Sequence, residues 1–274
     1  VPTFDDTEEL FDNCDAVDVC LPPFMHKEAE AKAAAAGRHV ICEKPIALGS
    51  AEAVEMMREC EEKCVIFMVA HCLRFWPEYE YLERLAREKP HGGLLTLVMW
   101  RHGGRPGWAS RNWLAEEEKS GGPAIDLHIH DVDMMRHILG MPFEAATIET
   151  RAAGVGAVDS LFRYADGPAA RAEGGWYLES GYSFRQGYRA VFEEAVVEFH
   201  SERERPVRIA TPDGAKDADL EPADAYRREL EYFAACVAEG REPERSTARE
   251  AAMSLRIVEA VRQSAAQEGK TAAV

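Results

Sequence analysis

The run Val40-Ile41-Cys42-Glu43-Lys44-Pro45 constrains this chain more than any other stretch. It is a short, apolar, β-branched strand signal that ends on a carboxylate, an ammonium and a proline. A similar run, Val17 to Leu21, precedes it, and between the two lies an alanine-rich helical segment from His26 to Ala36 closed by Gly37. A crossover of this length joins parallel neighbours, so both strands bring their carboxyl ends to one edge of a sheet. Open α/β sheets bind their ligands at that edge. Pro45 keeps residue 44 extended and out of any helix, which frees the Lys44 ammonium to reach a substrate. The plainer reading is a solvated lysine at a strand end.

A chain of 274 residues, 46% hydrophobic and 30% charged, is globular and long enough for one large or two ordinary domains. Its 49 acidic and 32 basic residues give a net charge of -17, which argues against nucleic acid and anionic membranes as partners. The seven cysteines form no C-x-x-C pair, and the expected setting is a reducing cytoplasm without a disulfide framework. No apolar run approaches the roughly 20 residues that a membrane helix needs. The sequence starts at Val1 without methionine, so a removed targeting segment stays open.

Further along, Ala53, Met57, Cys60 and Cys64 fall on one helical stripe and read as core rather than metal ligands. Val65 to Ala70 is a buried-type strand, followed by His71-Cys72-Leu73-Arg74-Phe75-Trp76-Pro77. Gly121-Gly122 permits a backbone closed to other residues, and Pro123 suits a first helical turn. One helix from there to Leu139 would set Asp126 and His130 one turn apart on one face, with Asp133 following. His128 points elsewhere in that helix, which weakens a metal-binding reading of His128-Ile129-His130. After Pro142 the pattern turns to period two, with Val158, Ser160, Phe162 and Tyr164 on one face, and strands continue to Ala210. Two amphipathic helices end the chain, one striped by Tyr226, Leu230, Phe233 and Val237, the other opened by a Thr247/Glu250 capping box.

Asp15 to His26, Gly37 to Leu48, and Gly121-Gly122-Pro123 with the D-x-x-x-H of Asp126 and His130 together resemble the family of glucose-fructose oxidoreductase, inositol dehydrogenase and MocA. The resemblance implies an α/β fold: a Rossmann-type dinucleotide-binding domain over 1–73, then an α+β substrate and oligomerisation domain with an open, mostly antiparallel sheet over 74–274, whose last helices pack back on the first. It also implies an NAD(P)-dependent dehydrogenase acting on a sugar, polyol or related carbonyl or alcohol. Leu21, Pro22, Pro23, His26, Glu43, Lys44, Pro45 and Arg74 would then line the NAD or NADP site, and Lys44, Trp113, Asp126 and His130 the substrate site, with no metal. A lone histidine such as His26 in a helix's first turn is more often structural, and packing is the usual use of a tryptophan such as Trp113.

The chemistry needs a group that takes a hydroxyl proton while hydride leaves the carbon. Histidine suits this near neutral pH, so His130 is the expected acid/base, with Asp126 orienting it or sharing the proton and Lys44 polarising the oxygen. Two other classes stay open: an NAD-dependent glycosidase working by transient oxidation, and a non-catalytic assembly protein. The G-x-G-x-x-G turn of a dinucleotide fold and its following acidic residue are absent from the sequence. The resemblance begins partway into the family's first domain, missing at least a β-α-β unit of about 30 residues, so weak NAD(P) binding by this chain is expected. Family members commonly pair through the second sheet, and Phe162, Tyr164, Trp176 and Phe184 supply more large apolar groups than one face can hide. A homo-oligomer, dimer or tetramer, is therefore expected, and light scattering at micromolar concentration should exceed the 30.5 kDa of a monomer.

Overall fold

Three parallel strands open the structure, a computed structural model that describes residues 2–104, 113–114, 116–152, 155–165, 167–177 and 181–274. They are β1 (Ala16–Val19), β2 (His39–Glu43) and β3 (Phe67–Ala70), in that spatial order, linked by helices α2 (His26–Ala35) and α3 (Ser50–Lys63), while α1 (Thr7–Asp12) precedes them. Gly37 at φ +72 ends the α2 segment in a left-handed turn. Val40, Ile41 and Cys42 are buried, as are all four residues of β3, because helices cover both faces of a parallel sheet. The carboxyl ends of β1 and β2 set the Pro22-Pro23 loop beside Glu43-Lys44-Pro45.

Helix α4 (Pro77–Glu88) leads into β4 (Leu94–Gly103), the central strand of a nine-stranded second sheet. Its other strands are β5 (Glu144–Ala152), β6 (Val155–Arg163), β7 (Ala169–Trp176), β8 (Arg185–Phe192), β9 (Val196–His200), β10 (Val207–Thr211), β11 (Gly214–Asp217) and β12 (Ala272–Ala273). The order is β11-β10-β9-β8-β4-β7-β6-β5-β12, and only β4 and β7 run parallel. The inner face buries Leu97, Met99 and Arg101 from β4 with Val158, Ser160 and Phe162 from β6. Phe162 thus faces the protein's own core rather than a partner; the outer face exposes Ile148 and Leu161 instead, at 68% and 55%.

Over the inner face lie α5 (Glu117–Ser120), α6 (Gly122–Asp126) and α7 (Ile129–Leu139). The Gly121-Gly122 turn has both residues at positive φ, +74 and +70, and a Cβ on Gly121 would stand 2.5 Å from that of Ile125. The single helix expected from Pro123 to Leu139 is broken at Leu127-His128. Leu127 N and His128 N both bond to the Pro123 carbonyl, at 3.1 and 2.9 Å, which widens the turn. The His128 side chain drives the break: it is fully buried on the sheet, 3.0 Å from Ser160 Oγ and stacked on Phe162.

The closing helices α8 (Ala225–Glu239) and α9 (Ala248–Ala266) bind the two sheets together. The Thr247/Glu250 capping box opens α9. Ser246 bonds to Val69 of β3 at both its main-chain oxygen (3.0 Å) and its hydroxyl (2.5 Å), Glu259 accepts from Ser50 N and Oγ (2.6 and 2.8 Å), and Ser264 Oγ accepts from Thr147 N of β5 (2.8 Å). No helix among the described residues is long and apolar enough to cross a membrane.

Between the sheets Arg74, 0% exposed, donates from Nε and Nη2 to both oxygens of Asp133 (2.9 and 2.7 Å) and from Nη1 to Glu250 (2.6 Å). Arg136 reaches the other Glu250 oxygen at 2.8 Å, and Ser254 Oγ donates to Asp133 at 2.7 Å. Burial pushes the Asp133 carboxyl up, yet Arg74 and then His71 outweigh it and hold the group well below the usual range. A buried charge set of this kind is costly to break from one side. Arg74→Met should destabilise the protein by about 3–5 kcal/mol in urea unfolding, and Arg74→Lys, which lacks the planar fork, should recover only part of it. A loss below about 1 kcal/mol for Arg74→Met, the size of an exposed ion pair, would mean the network carries little.

Candidate active site

The break between α6 and α7 decides what the Asp126 carbonyl does. In an unbroken helix the amide of His130 would take it; here that amide turns to Leu127 O at 3.4 Å. The freed Asp126 oxygen accepts from Lys44 Nζ at 2.7 Å, and Asp126 Oδ1 lies 3.2 Å from the same ammonium. The lysine, extended at the end of β2, therefore meets the second domain across 82 positions of sequence. Their side chains are 17% and 15% exposed, which screens the pair less than at a surface.

Lys44, Asp126 and His130 share the wall of one cleft of about 700 Å³. Leu21, Pro22, Pro23 and Glu43 line its first-sheet side, and Trp113 is placed on it as well. Burial lowers the pKa of His130 well below 6.5, and the charges of Lys44 and Arg101 add to that, so its imidazole is neutral at neutral pH. Its Nδ1 is sealed in the interior without a hydrogen-bond partner among the described residues. Burial raises the Glu43 carboxyl, against the pull of Lys44.

Three residues assigned to the cofactor stand outside the cleft wall. His26 is fully buried between the two strand-end loops, with Nε2 2.6 Å from Leu21 O and Nδ1 3.0 Å from Pro45 O; burial lowers its pKa, and the neutral ring donates its one N–H to one of these carbonyls. Pro45 is turned inward, with its carbonyl toward that ring. Arg74 belongs to the network with Asp133 and Glu250, because two carboxylates compensate its charge where the cleft offers none so close.

The cleft also holds groups to which no motif pointed: Arg101 and Gln186 from the large sheet, Trp176 and Phe184 beside them, and Tyr226 from α8. Arg101 did leave a signal, since it occupies the inward phase of β4 after Leu97 and Met99, where a charge is unexpected. Tyr226 left none, being one apolar-stripe residue among four.

For a nicotinamide cofactor the donor set fits at one end. The apolar wall of Leu21, Pro22, Pro23 and Ala70 offers a flat surface at the carboxyl edge of a parallel sheet, with Lys44 and Glu43 at its rim.

The chain belongs to an oxidoreductase family: residues 1–71 match its NAD-binding Rossmann fold domain and residues 95–274 its C-terminal alpha/beta domain. Among curated relatives, 2,7-anhydro-N-acetylneuraminate hydratase of Escherichia coli is 37% identical over 49% of this chain, and the enzyme of that name from Mediterraneibacter gnavus 38% over 51%. These matches span only 36% and 37% of the relatives' own length. D-xylose 1-dehydrogenase (NADP(+)) 2 of Haloferax volcanii is 28% identical over 93% of this chain and 79% of its own. Among solved structures, aldose-aldose oxidoreductase from Caulobacter crescentus with glycerol superposes with a TM-score of 0.85 at 21% identity, covering 98% of this chain and 82% of that one. Levoglucosan dehydrogenase with NADH and levoglucosan gives 0.85 at 21%, covering 99% and 83%. At these identities the structures establish the shared fold.

The buried histidines generate a pH dependence. Burial lowers His71 and His128 to about 4 from 6.5. Between those values the unfolded chain binds protons that the folded one does not, so stability rises with pH across that window and is fully present above about 6.5. Each tenfold difference in proton affinity between the folded and unfolded chain is worth about 1.4 kcal/mol. The thermal midpoint should therefore fall steadily from pH 7 to pH 5, and His128→Gln should flatten that slope. An identical slope in the variant would show that His128 does not contribute.

Proposed function

We propose that the cleft oxidises or reduces a small sugar-like alcohol or carbonyl with an NAD(P) cofactor. The observation that carries the reading is the contact of Lys44 with Asp126 across the two domains, with a neutral His130 in the same wall. A bound nicotinamide supplies the hydride acceptor or donor. Lys44 polarises the substrate oxygen and stabilises the alkoxide as it forms. His130, uncharged, takes the hydroxyl proton in the oxidative direction and returns it in the reverse one. Asp126 holds the lysine in place by two oxygens of one residue and neutralises its charge. Trp113 and the Pro22-Pro23 loop give the cleft apolar walls beside these groups. The names D-xylose 1-dehydrogenase (NADP(+)) 2 and 1,5-anhydro-D-fructose reductase among the relatives support a sugar as substrate, and the first of them NADP as cofactor.

The two relatives named hydratases favour addition of water to an anhydro sugar as a second reading, which this cleft could perform by transient oxidation: the sugar is oxidised, water is added as the oxygen link opens, and the carbon is reduced again. The same three residues would serve both half-reactions, with no net change in cofactor. We further infer a homo-oligomer through the outer face of the large sheet, where Ile148 and Leu161 are exposed.

His130→Ala should lower kcat by on the order of 10²-fold or more toward a sugar substrate, as loss of a general acid/base does. Near-normal turnover would remove His130 from the proton transfer and leave Lys44 and Asp126 as the remaining candidates.

A further inference from the structure

The interior holds two arginines in unlike circumstances. Arg74 makes three hydrogen bonds of 2.6–2.9 Å to two carboxylates and needs nothing more. Arg101, 4% exposed, is also buried, but its counter-charge is meagre. The guanidinium reaches Asp131 through one contact of 3.3 Å and Tyr79 Oη at 3.4 Å, while Nη1 donates to the neutral Gln186 Oε1. Its Nε has no partner among the described residues, and Asp131 Oδ2 has none either. Burial raises the Asp131 carboxyl, so the compensating charge is itself disfavoured. Asp131 still keeps the buried guanidinium charged against desolvation, but it is one carboxylate where Arg74 has two.

Unlike Arg74, Arg101 lines the cleft, together with its hydrogen-bond partner Gln186 and in company with Lys44 and Asp126. Resting on the reading of this cleft as a sugar oxidoreductase site, we infer that its substrate carries a carboxylate and that Arg101 seats it, so that the substrate is a sugar acid. Arg101 is then a specificity-determining residue. Nε is sealed in the interior and Nη2 is held by Asp131 and Tyr79, so Nη1 is the donor left to a carboxylate oxygen, beside the amide of Gln186. A phosphate dianion fits less well, because Glu43 and Asp126 share the wall and only one cation is left under-compensated. Seating the acid at Arg101 leaves the remainder of the molecule to reach Lys44 and His130 in the same 700 Å³.

The test is binding, which needs no turnover. D-glucuronate, D-galacturonate and N-acetylneuraminate, each beside its own methyl ester, and glucose 6-phosphate are titrated by calorimetry into the protein. At least one acid should bind about tenfold or more tightly than its ester, the range expected for a hydrogen bond to a charged group. Arg101→Gln should bring that acid and its ester to parity, and Arg101→Lys should restore part of the difference. Acids and esters of equal affinity throughout, no binding of any acid at millimolar concentration, preference for the phosphate, or an acid preference that survives Arg101→Gln would each overturn the inference. Should the variant not fold, the wild-type ratio still decides. The two proposals fail separately: hydride transfer on neutral sugars alone sinks the sugar acid, whereas acid binding without hydride transfer at saturating NAD(P) sinks the oxidoreductase.

Discussion

An unfilled main-chain hydrogen bond at Asp126 organises the centre of this protein. Because His128 is pulled onto the sheet, the helix that carries the D-x-x-x-H sequence cannot continue, and the Asp126 carbonyl is left without the amide of His130. A buried carbonyl needs a donor, and the donor comes from the other domain. The position of Lys44 is thus fixed by a backbone group, which cannot be titrated or rotated away. The acidic side chain of Asp126 is then a second, adjustable contact.

Around that point the structure assigns charges a clear order. Two carboxylates and two arginines between α7, α9 and the end of β3 satisfy one another completely, and they hold the helix bearing His130 against the first domain. The cleft keeps its own groups less than satisfied: a neutral histidine with a sealed nitrogen, a carboxyl raised by burial, an arginine with one loose ion contact. Rigid, balanced charges thus support unbalanced ones, which is the arrangement that preorganised chemistry requires.

Much of this was legible in the sequence because it rests on local rules. The β-α-β unit follows from two β-branched runs, an alanine-rich helix and Gly37; the second sheet follows from period two after Pro142; the α9 start follows from Thr247 and Glu250. Lys44, Asp126 and His130 also stand around one cleft as their motifs suggested. What failed to show was set by distant partners. The helix break depends on Ser160 and Phe162, the withdrawal of Arg74 depends on Asp133 and Glu250, and the inward placement of His26 depends on the carbonyls of Leu21 and Pro45. No window of neighbouring residues contains those facts.

The packing of His26 between two loops has a practical side for anyone reshaping this protein. It makes the Leu21 loop and the Pro45 loop a single piece, so that a change in either is felt by both. Trp113, Trp176 and Phe184 face the same space without such a fastening. A library built at those three positions would sample new shapes of the opening while the lysine and its loop hold still, whereas randomising residues 21 to 26 would mostly return proteins whose two strand ends no longer agree.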